Sequence, residues 1–116
     1  MNTQGDSAAL QLQDRLKAAW SAETASGWTP ENPARGQCSV TALVVQDILG
    51  GDILRTRTSG GTHFYNMVNG VRRDFTIGQF DRPITFEDTP ASHAEAMADT
   101  SREQYQALRR RMGLGG

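Results

Sequence analysis

The sequence has very little cysteine and histidine, with one Cys and two His among 116 residues. A single cysteine excludes any disulfide within the chain, and this set is too small for the usual zinc cage of Cys and His ligands. Neither a structural metal nor a cofactor is therefore expected. Because disulfides are typical of oxidising compartments, the low cysteine content favours a reducing one and hence a cytoplasmic protein.

An excess of charge of one sign is also lacking. Lys and Arg number 12 against 13 Asp and Glu, a formal net charge of -1, so there is no overall basic field that would attract nucleic acid or anionic lipid. No run of about 18 apolar residues occurs, and residues 1–13 lack the basic and apolar regions of a signal peptide. We expect a soluble protein that binds neither nucleic acid nor membrane, and the oligomeric state stays open.

The length suits a single domain, since a chain of this size can bury a core without disulfides. Residues 1–6 have the polar composition of a disordered start, and residues 113–116 predict a flexible tail. Between them, apolar residues at helical spacing predict a first helix with Ser7 as its N-cap. The chain 1–116 is therefore interpreted as one domain with two loose ends.

A loop and a buried helix surround the single cysteine. Residues 26–36 are rich in Gly, Pro and Asn, which predicts a loop. Residues 39–49 are apolar on nearly every side, which predicts a helix inside the domain, ended by Gly50–Gly51. Cys38 stands at the N-terminus of this helix, where unsatisfied N–H groups and the macrodipole favour a thiolate.

Strands are predicted after the buried helix. Residues 52–58 are rich in β-formers, and their two arginines indicate an edge strand. Asn69–Gly70 is the strongest short-range signal for a type I′ turn, and it joins strands 62–68 and 71–76 into a hairpin.

The remainder of the chain adds helix more than strand. Residues 80–87 predict a short extended piece at an edge or in a loop, because Pro83 cannot donate to a ladder. Residues 92–112 predict one closing helix or a pair. Together the elements predict a small α+β domain in which a central buried helix packs on an antiparallel sheet.

The hairpin register brings a histidine and an aspartate together. With the turn at residues 69–70, Tyr65 lies opposite Asp74 and His63 lies opposite Thr76. Directly paired residues share a face, and successive side chains alternate. His63 and Asp74 are therefore diagonal neighbours on one face, within reach of a hydrogen bond, while Asn66 lies on the other face.

These residues suggest nucleophilic catalysis by a thiol. Cys38 would attack, His63 would act as acid and base, and Asp74 would hold the correct tautomer of His63. An oxyanion hole could combine the Cys38 N–H with the side-chain amide of Gln37 or Asn32. The predicted reaction is acyl transfer on a peptide, protein or small acyl substrate, either hydrolysis or transfer to an amine.

Two plainer interpretations stay open. A lone Cys before an apolar run is typically a small core hydrophobe, and His63 can be satisfied by Asp74 for structural reasons alone. A catalytically inert module that binds a peptide or protein through the same groove competes with the enzyme. The distance from Cys38 to His63 and the reactivity of the thiol discriminate between them.

The segments around these residues resemble the YunG family of small bacterial proteins. The resemblance is carried by NPARGQCSVTALVVQD from Asn32, Gly50–Gly51, HFYN from His63, DFT from Asp74 and Gln79–Phe80. It covers roughly residues 20–80 and implies a bacterial origin but no particular reaction.

A looser resemblance is to the papain-like and transglutaminase-like cysteine enzymes. In these, a helix-start Cys is followed by a strand His and then by an Asp or Asn on the adjoining strand, the order of Cys38, His63 and Asp74. Papain-like enzymes have an upstream Gln as oxyanion donor, whereas here Gln37 directly precedes the Cys and Asn32 lies earlier. The resemblance implies a cysteine hydrolase or acyltransferase, and the short spacing fits only a minimal papain-like core.

Overall fold

Four helices and a four-stranded antiparallel sheet form the part of the chain that this computed structural model describes, residues 3–115, with side chains from residue 7. The helices are α1 Thr3–Ala19, α2 Cys38–Leu49, α3 His93–Ala98 and α4 Arg102–Arg111. The strands are β1 Asp52–Thr58, β2 Gly61–Val68, β3 Val71–Arg73 and β4 Thr89–Ala91, with a 3₁₀ turn at Ile77–Gln79. The predicted α+β class is confirmed.

Helix α2 is the central element. Its residues from Cys38 to Val45 are all buried. One side of α2 packs against β2, where the Asn66 amide donates to the Ala42 carbonyl at 3.0 Å. This side contributes to a core that includes Leu43, Ile53 and Phe64. The predicted packing of a buried helix on the antiparallel sheet is therefore confirmed.

A second core lies on the other side of α2 and joins it to α1 and α4. It includes Leu16, Trp20, Val44, Phe75 and Leu108. The indole Nε1 of Trp20 also donates to Thr41 Oγ1 at 2.9 Å. Because α2 has a core on two sides, it has almost no polar face, which explains the continuous apolar run in its sequence.

The end of α2 requires glycine twice over. Gly50 caps the helix at φ 74°, and its N–H donates to the Gln46 carbonyl at 2.9 Å. Gly51 has φ 79°, and a Cβ there would lie 2.3 Å from the Met67 carbonyl oxygen. Only glycine allows the chain to leave α2 this close to β2.

The hairpin turn has the predicted geometry. Asn69 and Gly70 both have positive φ, 51° and 77°, as a type I′ turn requires. The register is also as predicted, since Val68 pairs with Val71 and the ladder continues to Arg73 opposite Asn66. The ladder ends there, so β3 is shorter than the predicted strand 71–76.

The prediction that β1 lies at an edge is wrong. The strand order is β3-β2-β1-β4, and β4 covers the outer side of β1 from Ile53 to Arg55. The sequence prediction missed β4 because Pro90, at its centre, weakens any strand pattern. Proline is tolerated there because β4 is itself the edge strand. Residues 80–87, where an extended piece was predicted, contain no regular element.

The two ends of the chain differ from expectation in detail. Helix α1 begins at Thr3, so Ser7 lies inside it and is not its N-cap. Residues 1, 2 and 116, parts of the predicted disordered start and tail, lie outside the described residues. The closing region is a pair of helices, α3 and α4, each capped by a serine side chain. No helix within residues 3–115 is long and apolar enough to cross a membrane.

Candidate active site

His63 and Asp74 form a buried contact at the end of the central hairpin. Nε2 of His63, on β2, lies 2.6 Å from Oδ2 of Asp74, which directly follows β3. Their side chains are 2% and 6% exposed. The other carboxylate oxygen accepts from Thr76 N at 3.1 Å and Thr76 Oγ1 at 3.3 Å. Both oxygens of Asp74 are thus held, and the imidazole is oriented as the register predicted.

Cys38 is the first residue of α2, and it interacts with the same ring. Burial of the imidazole opposes its charge, but hydrogen bonding to Asp74 and to Cys38 raises the pKa of His63 to about 9. Nδ1 of His63 is buried without a partner of regular hydrogen-bond geometry in the described residues. Because Nε2 contacts Asp74, Nδ1 is the ring nitrogen that remains for an interaction with the thiol.

The raised pKa determines the charge state of the site. A histidine with a pKa near 9 is protonated at neutral pH, so an imidazolium faces the Asp74 carboxylate. An adjacent imidazolium and the N-terminus of a helix both favour the thiolate form of a cysteine. This arrangement can activate a thiol for nucleophilic attack.

The two side-chain amides predicted for the oxyanion hole are engaged elsewhere. Gln37 is fully buried, its Oε1 accepts from Thr24 Oγ1 at 2.7 Å, and its Nε2 lies 3.5 Å from the Ser21 carbonyl. The Asn32 amide donates to the Gln79 carbonyl at 3.2 Å. The N–H groups in the first turn of α2 have no intrahelical acceptor and are the donors nearest in sequence to the thiol.

Gln79 is a residue of this region that sequence reasoning did not single out. Its backbone carbonyl accepts a hydrogen bond from the Asn32 amide. Its side-chain Oε1 accepts from Gly36 N at 3.5 Å, and its Nε2 donates to the Thr76 carbonyl at 3.2 Å. It thereby ties the loop before Cys38 to the residue that bonds Asp74. The only sequence signal was its place beside Phe80 in the segment that carries the YunG resemblance.

Aromatic rings enclose the imidazole. The Phe80 ring lies edge-on to the His63 ring, with 4.8 Å between the ring centroids. The Tyr65 ring is stacked on the His63 ring, with 5.8 Å between the centroids. The Tyr65 hydroxyl bonds Asp88 at 2.8 Å, which fixes the segment after Phe80 against the sheet. Such surroundings exclude water and strengthen the electrostatic interactions of the ring.

The described residues offer no cluster of metal ligands at or outside this region. Within the part of the chain that the structure describes, no three His, Cys, Asp or Glu side chains are arranged so that they could hold a metal ion. The second histidine, His93, is an exposed residue at the start of α3. The candidate site residues remain Cys38, His63 and Asp74, of which His63 and Asp74 are in direct contact.

Comparison with known proteins agrees with the sequence resemblance and extends it. A family model described as "YunG protein" matches residues 8–114. A relative from Bacillus subtilis (strain 168), described as "Uncharacterized protein YunG", is 53% identical over 94 residues, which cover 81% of this chain and 82% of the relative. No solved structure matches the chain. The similarity thus includes α1 and the closing helices, beyond the segment from residue 20 to 80.

Proposed function

The chain belongs to the YunG family, and we propose that it is a cysteine enzyme that transfers acyl groups. Cys38 is the nucleophile, His63 the acid and base, and Asp74 the residue that orients His63. One observation carries the proposal: His63 contacts Asp74 at 2.6 Å in a buried position. The pKa of this histidine is raised to about 9, in part by Cys38. Perturbed titration and a thiol beside the same ring are typical of catalytic sites.

The reaction proceeds through an acyl-enzyme. The Cys38 thiolate attacks the carbonyl carbon of an amide or thioester, and the resulting oxyanion is stabilised by N–H groups at the start of α2. As the tetrahedral intermediate collapses, His63 protonates the departing amine or thiol, which leaves a thioester on Cys38. Water or an acceptor amine then attacks, His63 takes its proton, and the thiolate is regenerated.

We propose a minimal papain-like core as the framework of this reaction. The helix-start cysteine, the strand histidine and the following aspartate occur in that order, and the helix packs on an antiparallel sheet. The substrate is a peptide, a protein or a small acyl compound. A cytoplasmic location would keep the thiol reduced, as the mechanism requires.

A catalytically inert module that binds a peptide or protein is the second candidate. The observation in its favour is burial, because Cys38 is only 9% exposed and belongs to a core with Leu43 and Phe64. In addition, the amides of Gln37 and Asn32 bond backbone carbonyls and do not serve an oxyanion. In this alternative the thiol is a packing group and needs no activation.

Alkylation of the native protein by iodoacetamide discriminates between the two functions. Since Cys38 is the only cysteine, every label reports this site. We expect reaction well below pH 8.5, the approximate pKa of a free thiol, and a slower rate in His63→Ala. Cys38→Ser removes all labelling and serves as the blank. A thiol that reacts only after denaturation would identify Cys38 as a core residue and favour the binding module.

A further inference from the structure

A cavity of about 600 Å³ lies next to the candidate active site, between α1, the loop before Cys38 and the segment after Asp74. Phe80 forms part of its wall, and the same ring contacts His63 at 4.8 Å. Asn32 and Gln79, which tie the loop before Cys38 to the Asp74 segment, also line it. The volume is within the range of small-molecule sites, about 300–1,000 Å³. A substrate group bound here would be one side chain away from the imidazole.

The most deeply buried residues that line the cavity are apolar. Three of its lining residues belong to the core that joins α2 to α1 and α4: Trp20, Ala34 and Phe75. This surface can accept a hydrocarbon chain, because binding would remove the methylenes of that chain from water. Apolar lining alone does not distinguish a neutral from a charged ligand.

The outer wall is acidic. Three exposed carboxylates line it, from Asp14, Glu31 and Asp81, against a single ammonium group, that of Lys17. Among the described residues, none of the three carboxylates forms an ion pair or a side-chain hydrogen bond within the chain. They are therefore available to a ligand, and their summed charge with Lys17 is negative.

We propose that this cavity binds a lysine or arginine side chain of a peptide substrate. Such a side chain combines an apolar stem with a cationic head, which matches an apolar inner surface with an acidic outer wall. The inference rests on the proposed function in so far as the bound peptide is the acyl substrate of Cys38.

Binding is measured on Cys38→Ala, so that no chemistry interferes. N-acetyl-lysinamide is compared with N-acetyl-norleucinamide, which has the same stem without the ammonium group, by NMR chemical-shift titration. We expect the lysine compound to bind at least about tenfold more tightly, a preference of 1.4 kcal/mol, and to shift signals of residues that line the cavity. The preference should decrease with added salt, because the carboxylates are exposed.

Substitution of the acidic wall tests the location. The double variant Glu31→Gln, Asp81→Asn should lose most of the preference for lysine while it still binds the norleucine compound. Glu103→Gln is the matched control, since this exposed glutamate lies in the first turn of α4, away from the cavity, and it should keep the preference. Equal binding of the two compounds, no binding of either, or a preference that survives the double substitution would overturn the proposal.

The two proposals fail separately. A wild-type protein whose Cys38 alkylates rapidly but whose cavity does not discriminate between the compounds would keep the enzyme and lose the basic-side-chain site. A protein that binds the lysine compound but has an inert thiol would keep the site as that of a binding module and lose the enzyme.

Discussion

Two acid–base pairs join a strand of the sheet to a residue outside it, and their surroundings are opposite. His63–Asp74 is buried, with side chains 2% and 6% exposed, whereas Arg57–Glu87 is 87% and 34% exposed. Hydrogen bonds from Arg57 lower the pKa of Glu87 to about 2. The pKa of His63 is raised to about 9 although burial opposes its charge. Exposed pairs contribute little, but a buried pair has a desolvation cost that only matched partners offset. The buried pair is thus the one expected to control both chemistry and stability.

The largest expected effect concerns the chemistry of the buried pair. Asp74→Asn keeps the shape of the side chain, but an amide can hold the wrong tautomer of His63 and cannot stabilise its imidazolium. Labelling of Cys38 by an electrophilic acyl probe should fall strongly, on the order of the 10⁴-fold loss seen for the equivalent change in a serine protease. The rate is measured by mass spectrometry of the intact protein.

Asn66→Ala is the control for that variant. Asn66 lies on the opposite face of β2, where its amide donates to the Ala42 carbonyl. Its loss should destabilise the protein by about 1–3 kcal/mol, because a buried acceptor loses its partner, and should leave labelling of the folded protein intact. Labelling lost in Asn66→Ala but kept in Asp74→Asn would show that the third residue of the triad is wrongly assigned.

The second effect is on stability. Asp74→Ala leaves a buried imidazolium without its carboxylate, and removal of one partner of a buried pair costs about 3–5 kcal/mol. Urea denaturation at pH 6, where His63 is charged, should show a midpoint lowered accordingly. His63→Ala combined with Asp74→Ala should cost less than the sum of the single changes, because the pair acts as one unit. Additive losses would mean that the two groups do not interact.

The third effect is the pH dependence of unfolding. The pKa of His63 is raised in the folded protein from 6.5 to about 9. Its stabilising contribution is therefore complete below about pH 6.5 and is lost as the pH rises through about 9. The urea midpoint of the wild type should fall across this window, and His63→Gln, which keeps the thiol, should show a flatter profile. Parallel profiles of the two proteins would contradict the assignment of the charge to His63.

The smallest effect is expected at the exposed pair. The backbone N–H of Arg57 donates to Oε1 of Glu87 at 2.7 Å. Glu87→Gln removes the charge but keeps an oxygen that can accept this hydrogen bond. Because both groups are largely solvated, the urea midpoint at neutral pH should not change measurably, at low or at high salt. A loss as large as that of Asp74→Ala would remove the distinction between the two pairs.

Local signals predicted much of the site. Asn69–Gly70 specified a type I′ turn, and the alternation of side chains from that turn placed His63 beside Asp74. The glycine pair after a continuous apolar run specified where α2 ends, and the loop before it placed Cys38 at the helix start. Each of these inferences depends on residues close together in the chain, where backbone geometry limits the possibilities.

Other features depended on contacts between distant segments, which local sequence patterns do not specify. The edge position of β1 was wrong because β4, which covers it, is short and contains Pro90. The amides of Gln37 and Asn32 were candidates for the oxyanion hole, yet Thr24, Ser21 and Gln79 engage them. A side-chain amide can bond any partner within reach, and its own position in the sequence does not select one.

The sequence by itself determined the class of the domain, the turn of the hairpin, the ends of α2 and the pairing of His63 with Asp74. Only the tertiary structure decided that this pair is almost fully buried, that aromatic rings enclose the imidazole and that a cavity with an acidic wall lies beside it. Turns and helix ends follow from the steric limits of neighbouring residues. Burial, by contrast, depends on which distant segments pack together, and it is burial that decides how strongly the charges of the site interact.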